Sequence, residues 1–175
     1  MIIRPAQVSD AAALGAVHLQ TWLTSYRGIV PDSFLERLSP ERSTARWQET
    51  LRQSSAEELP FTWVAANEAD QVIGFAHCGA ARSQLPPYTG EIYALYLLAD
   101  HQRRGIGRAL FEKAAQSLLQ AGFENLFLWV LRDNPSRAFY EHLGGVYLTE
   151  QTIEIGAPLI EVAYGWPTLA QTFGG

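Results

Sequence analysis

Residues 102–109, Gln-Arg-Arg-Gly-Ile-Gly-Arg-Ala, place two glycines and three arginines between an apolar, strand-like run at 91–98 and a strongly helical run at 109–121. A glycine-bearing turn that opens a helix can aim several backbone N–H groups at one point, and the helix start adds about half a positive charge there. The chemistry this permits is anion binding, with the phosphate or pyrophosphate of a cofactor as the natural guest. The plain alternative is a tight turn into a helix with its arginines in water.

The spacing separates this turn from two common phosphate loops. A dinucleotide fingerprint needs Gly or Ala where Leu110 stands, and no Gly-Lys-Ser/Thr tripeptide occurs. Other chemistries are missing from the pattern too. The histidines at 18, 77, 101 and 142 lack metal-ligand spacing, so no metal is expected, and there is no Gly-x-Ser-x-Gly elbow.

What remains, Gln102-x-x-Gly105-x-Gly107, resembles the Gln/Arg-x-x-Gly-x-Gly/Ala signature of the GNAT N-acetyltransferase superfamily. The flanking segments extend the resemblance. Residues 91–98 are similar to the family's central strand, and residues 134–144 (NPSRAFYEHLG) to its second signature. Residues 22–31 (WLTSYRGIVP) resemble the first helical hairpin of many bacterial members. His142, where Lys or Arg is common, and Gly145-Val146, where Phe is common, are the departures.

The resemblance implies an α/β (mixed α+β) fold, with a mostly antiparallel mixed sheet of six to seven strands flanked by helices and two splayed central parallel strands. It implies acetyl transfer from acetyl-coenzyme A, as cosubstrate, to a primary amine on a small molecule or peptide, by direct attack in a ternary complex. A non-catalytic acyl-coenzyme A sensor and a protein N-terminal or lysine acetyltransferase are the rival readings. The pyrophosphate would lie on the backbone of Arg103, Arg104, Gly105, Ile106, Gly107, Arg108 and Ala109, with Gln102 opening the motif. The pantetheine arm would follow the backbone from Leu95 through Leu97 and Leu98, with Asn134 and Ser136 beside it. Asn134 is also placed to cap a helix opening at Pro135. The backbone N–H of Leu95, at a strand bulge, would hold the oxyanion.

Deprotonating a lysine-like amine, with a pKa near 10.4, is a real barrier at neutral pH. Glu91 is the expected base, provided burial raises its affinity for a proton; its plain alternative is a solvated residue at a strand start. Glu154 and Glu161 are reserves. Tyr140 is the expected acid toward the departing sulfur, its alternative being a core tyrosine. Trp22 and Tyr26, one helical turn apart, are expected to wall the acceptor pocket, with His18 before them. A homodimer is common in the family.

The elements that must position these residues follow from periodicity. A strand at 2–5 precedes a helix at 11–26, with Ser9 and Asp10 as cap candidates. Short helices are expected at 31–38 and 40–53, and a strand pair at 61–66 and 72–80. Residues 82–90, with Pro86-Pro87, read as a loop. After the central helix, a wholly apolar run at 126–131 reads as a strand covered on both faces. A hairpin at 146–155 and 159–166 closes the sheet. Residues 1–175 read as one domain, with 166–175 a loose tail.

Composition narrows function further. The chain is 47% hydrophobic and 18% charged with net charge −5, which argues against nucleic-acid binding and mildly favours cationic substrates. The lone cysteine, Cys78, reads as a buried small hydrophobe in a reducing compartment. With no signal-peptide pattern and no apolar run near the roughly 20 residues that span a bilayer, a cytoplasmic location without membrane partners is expected.

Overall fold

The computed structural model describes residues 1–53 and 58–174. Seven strands form one sheet in the order β1-β2-β3-β4-β5-β7-β6. They are β1 (Ile2–Pro5), β2 (Phe61–Ala66), β3 (Val72–Leu85), β4 (Tyr88–Leu97), β5 (Leu126–Leu131), β6 (Val146–Glu154) and β7 (Pro158–Trp166). Every neighbouring pair is antiparallel except β4 and β5. That parallel pair is joined only at Gly90–Leu126 and Glu91–Phe127. Beyond Glu91 the two strands part, and the sheet opens at its centre.

Helices cover both faces, so the strand periodicity of two splits the core in two. On one face lies α4 (Ile106–Gln120), whose Leu110, Phe111, Ala114 and Leu118 are fully buried against Ala65, Ala76, Cys78 and Ile92. On the other lie α1 (Ala11–Ser25) and α3 (Pro40–Arg52), where Leu14, Val17, Trp47 and Leu51 pack on Val64 and Phe75. Each such side chain contributes about 1.5–3 kcal/mol relative to exposure. The short α2 (Asp32–Leu35) closes a third cluster over Leu131. Cys78 is buried, its thiol pushed up to about 12 by burial, as a structural cysteine should be. At the rim of α4 the ammonium of Lys113 stands 4.3 Å over the Trp63 ring.

Three expectations are corrected. Residues 82–90 are a hairpin rather than a loop: β3 continues to Leu85, pairs with Tyr88, and Pro86-Pro87 occupies the turn, where a ladder needs no N–H donor. The tail is not loose. α6 (Leu169–Phe173) buries Leu169 and Phe173, and Phe173 stacks on Phe111 at 5.6 Å; residue 175 lies outside the described residues. Asp10 does not cap α1 with its side chain. It pairs with Arg4 at 2.7 Å and accepts the Gln7 N–H, an ion pair holding its carboxyl below the usual value against the opposing cost of burial.

Among the described residues no helix is long and apolar enough to cross a membrane.

Candidate functional site

The parting of β4 and β5 leaves a cavity of about 770 Å³. Its walls are Leu95 and Leu97 on β4, Leu128 and Val130 on β5, the turn before α4, and residues 134–142 around α5 (Arg137–His142). Which main-chain groups face it follows from the ladder. The Leu98 N–H donates to the Ile73 carbonyl at 3.0 Å. In an antiparallel pair the backbone groups of alternate residues point to the partner and the others away. Leu97 and Leu95 therefore aim their N–H and C=O groups from β3 into the gap. The Gln102 amide confirms the direction for Leu97 by donating to its carbonyl at 3.1 Å. Leu98 itself is turned toward β3. The bulge falls two residues before the expected position: Cys78 faces Ile92 and His77 faces Ala94, so Tyr93 is the extra residue.

The turn before α4 is a cradle. Arg103 has φ +57° and Gly105, which caps the helix, φ +80°, both left-handed, so successive N–H groups converge. The Ala109 N–H donates to the Gly105 carbonyl at 3.0 Å and is thereby used up. The six N–H groups of residues 103–108 find no protein acceptor among the described residues. Gly105, Gly107, Arg103 and Arg108 line the cavity; Arg104, Ala109 and Leu98 do not, and the Ile106 side chain turns into the core. Arg108 is tied to Glu112 at 2.8 Å along the helix. Gln102 braces the loop to β4.

At the far end of the gap stand Tyr140, Tyr26 and Asn134. Burial, with the neighbouring Tyr96 second, pushes the Tyr140 hydroxyl well above an ordinary phenol, so it keeps its proton across the working pH range. Asn134 is buried; its side-chain oxygen accepts the Ser136 N–H at 2.8 Å. It lines the cavity but does not cap a helix: α5 starts at Arg137 with Ser136 at its N-cap position and no side-chain cap, and the Asn134 oxygen closes a local turn instead. Thr21, whose buried hydroxyl has no partner in the structure, lines the same space.

Glu91 is neither at the strand start nor solvated. It is 3% exposed, third in from Tyr88. One carboxylate oxygen accepts the Arg82 backbone N–H at 2.7 Å and the other the Arg82 guanidinium at 2.7 Å. That guanidinium lies 4.0 Å over the Tyr93 ring. Burial, and further the charge of Glu91, raises the carboxyl of Glu161 on β7 above the usual range.

Trp22 and Tyr26 stack at 4.7 Å, but they serve different spaces. Tyr26 lines the gap. Trp22 donates its indole N–H to the Tyr96 hydroxyl at 3.0 Å and lines a second cavity of about 810 Å³ beside α2 and α3. Arg37, Arg42, Arg46 and Arg82 line that second cavity. No motif pointed to them. The available signal was the pair Arg42 and Arg46, four apart on α3, beside Trp47. Among the described residues no group of three or more His, Cys, Asp or Glu is arranged to hold a metal ion.

These features agree with the comparisons. The Acetyltransferase (GNAT) family matches residues 21–145, and the chain belongs to that family. It is 38% identical over 169 residues to the uncharacterized N-acetyltransferase YuaI of Bacillus subtilis (strain 168), covering 96% of this chain and 94% of that protein. Its fold is similar to that of the PaiA N-acetyltransferase of Thermoplasma acidophilum, solved in complex with coenzyme A, with TM-score 0.73, 19% identity, and 94% and 98% of the two chains covered. It is likewise similar to YncA of Salmonella typhimurium, solved with acetyl-CoA, with TM-score 0.71, 20% identity, and 95% and 93% covered. The protein is thus an enzyme of the acyltransferase class.

Proposed function

We propose that this protein transfers an acetyl group from acetyl-coenzyme A to a primary amine by direct attack in a ternary complex. The observation that carries the reading is the set of six unpartnered N–H groups at 103–108, at the mouth of a gap lined by the outward backbone of Leu95 and Leu97. The turn fits a pyrophosphate through backbone donors and a helix N-terminus. The gap fits an extended arm that pairs with main chain as a missing strand would. Acetyl-coenzyme A would supply the thioester carbonyl and its thiol leaving group.

The chain's own residues would then divide the work. The Leu95 N–H, aimed into the gap, donates to oxygen that becomes negative in the transition state. Tyr140, proton retained, stands over the same gap and gives that proton to a departing thiolate. Glu91 receives the proton of the ammonium once the Arg82 guanidinium releases one of its oxygens, the Arg82 backbone N–H holding the other in place. Asn134 and Ser136 brace the cofactor arm.

Thermal unfolding tests the reading. Acetyl-coenzyme A at about 100 times its Kd should add about 2.7 kcal/mol, a rise in Tm on the order of 5–10 °C. Gly107→Trp should abolish that rise, because a Cβ there already stands 3.5 Å from the Phe139 ring and a larger side chain must enter the cavity. No rise with millimolar ligand would sink the reading.

A further inference from the structure

The second cavity has a charge opposite to the chain's. The chain carries formal net charge −5, yet Arg37, Arg42, Arg46 and Arg82 line this space and, among the described residues, no aspartate or glutamate does. Arg42 and Arg46 stand one helical turn apart on α3, where like charges repel. Among the described residues, neither they nor Arg37 have a carboxylate within ion-pair distance. Trp22, Phe34, Trp47 and Tyr93 add aromatic surface, beside His18, His77 and the hydroxyl-bearing Ser39 and Ser43. Such a surface suits a ligand with an anionic end and an apolar body: guanidinium groups take a carboxylate or phosphonate in a fork, and rings take the body.

Position links the cavity to the chemistry. Both cavities are lined by Tyr93, Ala94 and Tyr96 of β4, so they meet at the strand that presents Leu95. A ligand anchored at the arginines can reach β4 with its other end. The Arg82 side chain belongs to the second cavity and to the Glu91 ion pair at once.

We infer that the acceptor is a small amino acid-like amine, its anionic group held by Arg42 and Arg46 with Arg37 and Arg82 flanking, and its amine directed to β4. The inference rests on the acetyl-transfer reading. It runs against the mild preference for cationic substrates that net charge suggests, because the local field of a cleft, not whole-chain charge, meets the ligand.

Matched probes test it on the intact protein. L-phenylalanine, L-phenylalaninamide and 2-phenylethylamine share a body and differ in the anion; 2-aminoethylphosphonate and ethanolamine repeat the contrast with phosphonate. Equilibrium dialysis in the presence of acetyl-coenzyme A reads binding, and thiol release reads turnover. The expected result is at least a tenfold preference in Kd and kcat/KM for the anionic member of one set, and the set that shows it tells carboxylate from phosphonate. The double substitution Arg42→Gln, Arg46→Gln should bring that ratio close to one, through KM rather than kcat, and should keep the thermal shift with acetyl-coenzyme A. Equal binding of charged and uncharged members, or a preference that survives the double substitution, would overturn the inference. Loss of the acetyl-coenzyme A shift in the native protein would instead defeat the transfer reading, while dialysis of the probes alone still decides the anion preference.

Discussion

The two cavities that meet at β4 are built from different materials. The gap between β4 and β5 presents main chain: six free N–H groups at its mouth and the outward groups of Leu95 and Leu97 along its wall. The cavity beside α3 presents side chains, four of them arginines from two separate elements and a turn. Main chain offers every ligand of a given shape the same donors, which suits an invariant cofactor. Side chains can change one at a time without disturbing the fold, which suits an acceptor that differs among relatives. On the proposed reading, one strand would separate the cofactor's site from the acceptor's.

If the division is right, the gap should respond to backbone and closure residues and ignore most surface charge. Tyr140→Phe should have the largest effect, lowering kcat by about 10²-fold or more while the acetyl-coenzyme A Kd holds. Steady-state kinetics together with dialysis separates the two, and undiminished turnover would remove Tyr140 from the chemistry. Gly105→Val comes next. A β-branched residue is strained at φ +80°, so the cradle should lose its shape at a cost of about 1–3 kcal/mol, read as a rise of about 5-fold to 150-fold in the same Kd.

The side-chain cavity should show itself through pH. Burial, reinforced by Arg46, lowers His18 from 6.5 to about 4; burial first, then Arg82 and Arg46, lowers His77 to about 4. These are depressed folded-state values, so between pH 6.5 and about 4 the unfolded chain binds more protons than the folded one. Stability is fully present above 6.5 and falls as the pH drops, by up to about 1.4 kcal/mol per pH unit for each histidine. Urea unfolding at pH 4.5, 5.5 and 7 measures the slope, and His77→Gln should flatten it. The smallest effect is expected for Gln102→Ala. It removes one hydrogen bond that braces the cradle to Leu97, worth about 0.5–1.5 kcal/mol, and should weaken acetyl-coenzyme A by less than about tenfold. A larger loss would mean that Gln102 touches the ligand itself.

Legibility in the sequence divides along the same line. The cradle was readable because a backbone site needs glycines at fixed offsets from a helix start, and such constraints survive as a motif. β5 was readable because burial on both faces leaves a wholly apolar run. The hairpin at 82–90 was not, since Pro86-Pro87 reads as a break when only local propensity is weighed, and the pairing of Leu85 with Tyr88 is tertiary. With it went the true position of Glu91 and its partner Arg82, nine residues back on the neighbouring strand. The α6 segment was misread for a similar reason: five residues carry little periodicity, and Phe173 is held by Phe111, sixty-two positions earlier. The arginine cavity left almost no trace, because its residues converge only when α2, α3 and the β3–β4 hairpin assemble.

Lys113, poised over the Trp63 ring, has a further consequence. It is the chain's single lysine; the other twelve basic residues are arginines, whose guanidinium groups do not serve as amine nucleophiles at neutral pH. A protein that works beside an acetylating thioester therefore presents only one side-chain amine of its own, and that amine rests on an aromatic face. Prolonged exposure to acetyl-coenzyme A leaves the arginines of both cavities chemically intact and can remove side-chain charge only at Lys113. Peptide mass mapping would show this directly as side-chain acetylation confined to Lys113.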